Sequence, residues 1–289
     1  MPPHSSSAGV VYWFRNDLRL SDNPALARAC FSADQLFPVY LHQTGGELNA
    51  YGIEKISAHR KNFLRQSLDD LRAQLQDLGS DLFEFSGQAD EVLPQLLKSL
   101  GAQAIHCEQI EAPEELEQIA LLRGMGIDIQ EYWQSSMLNP QHFSFELQKM
   151  PDIFTQFRRA VEGEGLKFAN PIATLKAMPP LPSIDGLGEL AVEATLAHEY
   201  LQVDYLGGES HAQAHLKQYL ERRLPDSYKE TRNQLIGKDY SSKLSPWLAC
   251  GCISARDIAA ELAAYEKCYG ANDGTYWLWF ELLWRDYFR

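Results

Sequence analysis

What the sequence lacks sets the first limits. No apolar run reaches the ~18 residues that a membrane-crossing helix needs. The opening MPPHSSSAGV has neither a charged start nor an apolar stretch, so residues 1–8 are expected to be a loose, disordered tail rather than a secretory leader. Cysteine is scarce: Cys30, Cys107, Cys250, Cys252 and Cys268 are scattered and odd in number. That pattern gives no disulfide framework and implies reduced thiols inside a cell, in the cytoplasm, nucleus or an organelle. Cys250-Gly251-Cys252 has no second pair at zinc spacing. His211 and His215 share a helix face but lack a third ligand, so a solvated pair is expected and no metal site. The first half contains neither GxGxxG nor GxxxxGK[ST], so neither glycine-rich phosphate motif is present there.

What is present divides in two. Net charge is −13, but residues 204–289 hold 11 Lys+Arg against 12 Asp+Glu, while the other 203 residues hold 15 against 27. The acid is concentrated in the first part. The second is close to neutral and can carry a local basic groove for a polyanion.

Residues 9–134 alternate between short β-branched or aromatic runs and amphipathic stretches. Val10–Phe14 (VVYWF), Gln35–His42, Asp81–Phe85, Ala104–Cys107 and Ile127–Trp133 read as strands. Pro38 sits awkwardly in the second, because it removes a ladder donor. Helices are expected from Pro24, over about Lys55–Leu78, and over Ala89–Leu100 and Pro113–Arg123. In the long one, Leu64, Leu68, Leu71, Leu75 and Leu78 form one stripe. The pattern specifies an α/β fold, a doubly wound parallel sheet of five strands. Ligands of such sheets commonly bind beyond the carboxyl ends of the strands. There the acidic CEQIEAPEEL follows the fourth strand, either as a helix start or as part of a site.

Residues 135–203 are broken by prolines and read as a linker wrapped over the surface. Residues 204–289 read as helical throughout. Within them Tyr228–Trp247 offers three cationic side chains placed to face phosphate (Lys229, Arg232, Lys243) and three serines, with Ser245 as N-cap and Pro246 in the first turn of a helix. Such a loop suits an anion, although an ordinary polar surface loop has the same composition. The last helix, TYWLWFELLWRDYFR, is aromatic nearly all round yet carries Glu281, Arg285 and Asp286. Glu281, Trp284, Arg285 and Phe288 fall at i, i+3, i+4 and i+7, and could line a pocket for a flat, polar-edged ring. An intrahelical Glu281–Arg285 pair on a core helix is the alternative.

WFRNDLRLSDN at 13–23, GGE at 207–209, YKETRNQLIGKDYSSKLSPWLACGCIS at 228–254 and YWLWFELLWRDYFR at 276–289 together resemble the photolyase/cryptochrome family, in the form of its DASH cryptochromes. The resemblance implies an N-terminal antenna-chromophore domain, a long linker and a helical FAD-binding domain. It implies that Tyr228, Trp277, Glu281 and Arg285 contact the flavin, and that Ser241, Ser242, Lys243, Leu244 and Ser245 hold the FAD phosphates. It places Arg232 on DNA phosphate and Glu281 and Trp284 at a flipped cyclobutane pyrimidine dimer, with Trp284 and Arg285 facing DNA. The implied antenna is 5,10-methenyltetrahydrofolate. The family's glutamate contact for it falls nearest Gln109 and Glu111; if Gln109 is the aligned position, that glutamate is missing.

The activity so implied is that of a deoxyribodipyrimidine photo-lyase: light-driven electron transfer from reduced FAD to dimers in single-stranded DNA. RNA is a second candidate partner, and the full-length form is expected to be monomeric. A blue-light photoreceptor or nucleic-acid-binding cryptochrome without repair uses the same scaffold. Family members continue past the position of Arg289, so this chain is expected to be a fragment with one wall of the flavin pocket, binding FAD weakly by itself and inactive alone. A non-catalytic α/β module is the remaining reading.

Overall fold

The computed structural model describes residues 9–42, 51–52, 56–183 and 205–289. The expected tail at 1–8 and the last part of the linker lie outside them.

Five parallel strands, β1 (Gly9–Phe14), β2 (Gln35–His42), β3 (Phe83–Ser86), β4 (Ala104–Glu108) and β5 (Asp128–Tyr132), stand in the order β3-β2-β1-β4-β5. β1 is central and buried along its whole length. Its side chains alternate between two layers, as a pleated strand must. Val10, Tyr12 and Phe14 pack with residues of α1 (Pro24–Ser32) and α2 (Ala58–Asp77), including Leu26, Leu68, Leu71 and Leu75. Val11 and Trp13 pack on the other side with Leu93 and Leu96 of α3 (Ala89–Leu100) and Ile119 and Leu122 of α4 (Pro113–Gly124). The sheet is therefore doubly wound. Pro38 is tolerated because it opposes Tyr12 just before the β2–β3 ladder begins at Val39↔Phe83.

The linker departs from expectation in part. Most of its described part runs over the surface, but it also anchors in the core. Met137 and Leu138 are buried, and α5 (Phe154–Gly163) inserts Phe154, Phe157 and Val161 into the same cluster as Tyr12 and Phe14. The prolines end helices, but the apolar side chains between them still seek burial.

The last part is helical, as expected: α6 (Glu209–Glu221), α7 (Tyr228–Thr231), α8 (Ser245–Cys250), α9 (Ala255–Tyr269) and α10 (Asp273–Tyr287). A capping box formed by Asn272 and Thr275 starts α10. The turn from Arg15 to Asn23 ties these helices to the sheet. Glu209 accepts from Leu20 N at 2.6 Å and Ser21 N at 3.0 Å. Arg256 Nε donates to Asp22 Oδ2 at 2.8 Å, and Arg19 Nη1 donates to the Gly251 carbonyl at 3.0 Å. Gly207 lies so close to α2 that a Cβ there would stand 2.1 Å from the Phe63 carbonyl oxygen.

Gly251 has φ +70°, and a Cβ on it would meet the Asn16 carbonyl oxygen at 1.8 Å. Gly251→Ala is therefore expected to lower the unfolding free energy by at least about 3 kcal/mol, read by urea denaturation. An unchanged midpoint would contradict the close approach of the two halves.

Candidate functional site

A cavity of about 430 Å³ opens between the 228–245 segment and α10, lined by Tyr228, Ser242, Leu244, Ser245, Leu248, Ala249, Leu278, Glu281, Leu282, Arg285 and Arg289. It gathers six of the nine residues assigned to cofactor binding from sequence: Tyr228, Ser242, Leu244, Ser245, Glu281 and Arg285. Ser241, Lys243 and Trp277 are not in its lining. The α10 contributors, Leu278, Glu281, Leu282 and Arg285, follow the three- and four-residue spacing of one helix stripe, and Arg289 joins them from just past the helix end. That stripe was legible, yet the sequence reading missed Leu278, Leu282 and Arg289 by following the aromatics instead.

Trp284 and Phe288 do not share the cavity face. At about 100° per residue, Trp284 lies 60° to one side of Glu281 and Arg285 lies 40° to the other. Trp284 instead stacks on Phe154, ring centroids 3.6 Å apart and planes at 14°, and on Phe288 at 5.6 Å and 15°. The intrahelical Glu281–Arg285 pair does not form either. Glu281 takes the Arg232 guanidinium, which also lies 4.2 Å over the Trp277 ring. Arg285 donates to the backbone carbonyls of Ser135 and Leu248. Burial, together with the charge of Arg289, pushes Arg285 down to about 10. Burial, then the charge of Glu281, pushes the Tyr228 hydroxyl up to about 12, so it remains a hydrogen-bond donor.

With Glu281 engaged by Arg232, the lining keeps an excess of positive charge from Arg285 and Arg289. Of the cations singled out from sequence, Lys229 pairs with Asp273 at 2.5 Å and Arg232 with Glu281, whereas Lys243 has no ion-pair partner among the described residues. Ser245 is the first residue of α8 and not its cap; Leu244 occupies the cap position without a side-chain bond. α8 has six residues, too few for much dipole, so capacity for an anion rests on cations, hydroxyls and loop backbone. In that backbone Ser241 and Lys243 have φ of 58° and 56°, a region costly for residues with a Cβ. His215 is not a solvated partner of His211: its Nε2 lies 2.8 Å from the Ser242 carbonyl oxygen, and its ring packs on Trp247.

A second cleft, of about 540 Å³, lies where an open parallel sheet offers one, beyond the ends of β1 and β2. Its lining includes Trp13, Arg15, Asn16, Tyr40, His42, Arg60, Lys61, Ile110 and Glu115. Gln109 and Glu111, the antenna positions taken from sequence, do not line it. They bond each other at 2.6 Å, and Ile110 between them points into the cleft's wall. Successive side chains of an extended segment alternate in direction, which explains the miss. Glu84, beneath His42, has its carboxyl held down at about 2: burial opposes this, but bonds from His42 and Arg65 prevail.

Glu108 ends β4 fully buried, with Oε2 lacking a partner among the described residues. Burial, then the charge of Asp17, pushes it up to about 8 from a usual 4.5. The folded chain therefore holds this proton more tightly than the unfolded chain, and stability falls as pH rises from 4.5 through 8. Between about pH 5 and pH 8 the parent is expected to lose more unfolding free energy than Glu108→Gln, measured by urea titration at both values. Parallel losses would contradict the buried proton.

A family model for DNA photolyase matches residues 10–182. The chain is 37% identical over 295 residues to the cryptochrome DASH of Gloeobacter violaceus, covering 98% of this chain and 59% of that protein. It is 40% identical over 302 residues to the cryptochrome DASH of Xenopus laevis, covering 97% and 56%. Against the chloroplastic/mitochondrial cryptochrome DASH of Arabidopsis thaliana the identity is 38% over 311 residues, covering 99% and 54%. The chain thus spans little more than half the length of the curated relatives it matches. Its structure superposes on the crystal structure of the Synechocystis cryptochrome with a TM-score of 0.91 at 35% identity, covering 98% of this chain and 61% of that one. It also shares the fold of a class III photolyase from Agrobacterium tumefaciens, with a TM-score of 0.81 at 23% identity, covering 99% and 60%. With the family model matched over more than half its length and DASH relatives along nearly all of it, the chain belongs to the DNA photolyase family, in its DASH cryptochrome branch.

Proposed function

We propose that this chain forms one wall of a flavin site in a DASH-type cryptochrome that uses light to split cyclobutane pyrimidine dimers in single-stranded DNA. The observation that carries the reading is the cavity between the 228–245 segment and α10. Its lining of hydroxyls, aliphatic side chains and two guanidinium groups fits a ring system joined to a pyrophosphate. Bound FAD supplies light-driven electron donation; the protein positions and tunes. Arg285, set against backbone carbonyls and no carboxylate, offers its charge to the ligand. Ser242 and Ser245 offer hydroxyls, and Tyr228 a protonated phenol. Glu281 is held at the cavity by Arg232, whose other contact is the Trp277 face. In that position Arg232 exchanges a carboxylate for a DNA phosphate at modest cost.

Trp284 supports a stacking role for a flipped base once Phe288, 76% exposed, gives up its place on that ring. RNA presents the same stacking faces. The sheet-end cleft suits the folate antenna, with Arg15, Arg60 and Lys61 for its carboxylates. One observation favours a photoreceptor without repair: Trp284 is already engaged by Phe154 and Phe288.

Arg285→Ala is expected to weaken FAD binding by about tenfold or more, followed by NMR titration, which reads weak binding as well as tight. Equal affinity would sink the assignment of the cavity. Trp284→Ala is expected to weaken binding of a dimer-bearing single-stranded oligonucleotide by roughly tenfold, the worth of one base–aromatic stack. Light-dependent loss of the dimer with the full-length protein supports repair; binding without any such loss supports the photoreceptor.

A further inference from the structure

We propose that His215 is a positioning residue for the anion loop: it fixes the Ser242–Lys243 peptide so that the Lys243 N–H is presented, away from α6, to a phosphate oxygen of the ligand. The inference rests on the flavin reading above and adds the device that shapes its phosphate subsite.

His215 lies on α6, outside the cavity lining. Its Nε2 stands 2.8 Å from the Ser242 carbonyl oxygen. A carbonyl only accepts, so the ring must donate from Nε2, which both the neutral Nε2–H tautomer and the imidazolium do. The ring has little freedom to turn. Trp247 lies against it with centroids 4.9 Å apart, and Tyr205 meets it edge-on at 5.6 Å. Trp247 is itself buried, its Nε1 donating to the Leu206 carbonyl at 2.9 Å. The histidine is thus a donor of fixed direction.

Ser242 is flanked by two left-handed residues, Ser241 and Lys243, with φ of 58° and 56°. Each is a costly conformation that persists only where its surroundings enforce it. The His215 bond supplies that enforcement at the residue between them. The Ser242–Lys243 peptide is trans, so its N–H points opposite to its C=O. With the carbonyl turned onto α6, the Lys243 N–H is turned from α6, on a stretch whose residues Ser242 and Leu244 line the cavity. No described backbone carbonyl accepts from that N–H. A donor held outward in a costly backbone conformation, beside a cavity rich in guanidinium charge, is suited to an oxyanion.

The test compares the parent, His215→Phe and His215→Gln for binding of FAD and of riboflavin, which lacks phosphate. Phenylalanine keeps a ring on Trp247 and removes the donor; glutamine restores a side-chain N–H. His215→Phe is expected to weaken FAD about tenfold, the worth of one hydrogen bond to a charged group, and to leave riboflavin unchanged. His215→Gln is expected to recover most of the loss. The Lys243 amide resonance should shift on adding FAD to the parent and to His215→Gln, but not to His215→Phe. Equal FAD affinity in His215→Phe overturns the proposal, as does an equal loss for riboflavin or a failure of glutamine to rescue. If the parent binds neither ligand, the flavin reading itself falls and this inference with it.

Discussion

Asp22 is the point on which the two halves of the molecule depend. It is fully buried with φ 42°, and two distant segments converge on it together with Arg19 of its own turn. Arg256 Nε of α9 reaches its carboxylate at 2.8 Å, and the Ile172 amide of the linker reaches it at 3.1 Å. Its own carbonyl accepts from Arg19 Nε at 3.2 Å and Nη2 at 3.0 Å. A buried ion pair adds little net stability over a well-packed apolar pair, but removing one partner strands the other at roughly 3–5 kcal/mol. That asymmetry makes the Arg15–Asn23 turn a specificity device. Few other arrangements satisfy so many buried charges at once.

The cavity inherits its geometry from this seam. Asp286 of α10 is buried and accepts from Met137 N at 2.9 Å and Leu138 N at 2.7 Å. Burial pushes it up to about 6 even against those two bonds. Beside it Arg285 holds the Ser135 carbonyl. α10 is therefore fastened to the segment that leaves β5, while Phe154 of α5 packs on its Trp284. The opposite wall, the 242–245 segment, is held from behind by α6, which is fixed to the turn by Glu209 and bonds the Ser242 carbonyl through His215. Both walls are aligned by contacts to the same α/β scaffold, so the site needs that domain as a frame as well as for its own cleft.

Much of this was legible in the sequence because it is local. The alternation of VVYWF with leucine stripes gave a doubly wound sheet, and Leu278, Glu281, Leu282 and Arg285 fall at helix spacing on one face. The misses have a common cause in long-range geometry. RNDLRLSDN stood out only by resemblance, since the partners that give it meaning, Glu209, Gly251 and Arg256, lie some two hundred residues away. Phe154, Phe157 and Val161 carry a helical period, but surrounding prolines made the linker look superficial. Gln109 and Glu111 were taken from the resemblance, whereas the alternation of the extended segment after β4 decides that Ile110 faces the cleft. Nothing in the pair His211 and His215 distinguishes a solvated imidazole from one clamped on Trp247.

The dependence of both halves on one buried seam is tested most directly by native-state hydrogen exchange in rising denaturant. The amides of Leu18 and Leu20 lie in the turn, yet their acceptors, the Cys250 carbonyl and the Glu209 carboxylate, belong to the helical half. They should exchange only through global opening, on the same isotherm as the core amides of β1 and α9. Exchange of those two amides together with α9 at a lower free energy, while β1 stays protected, would show two units opening independently and contradict this account.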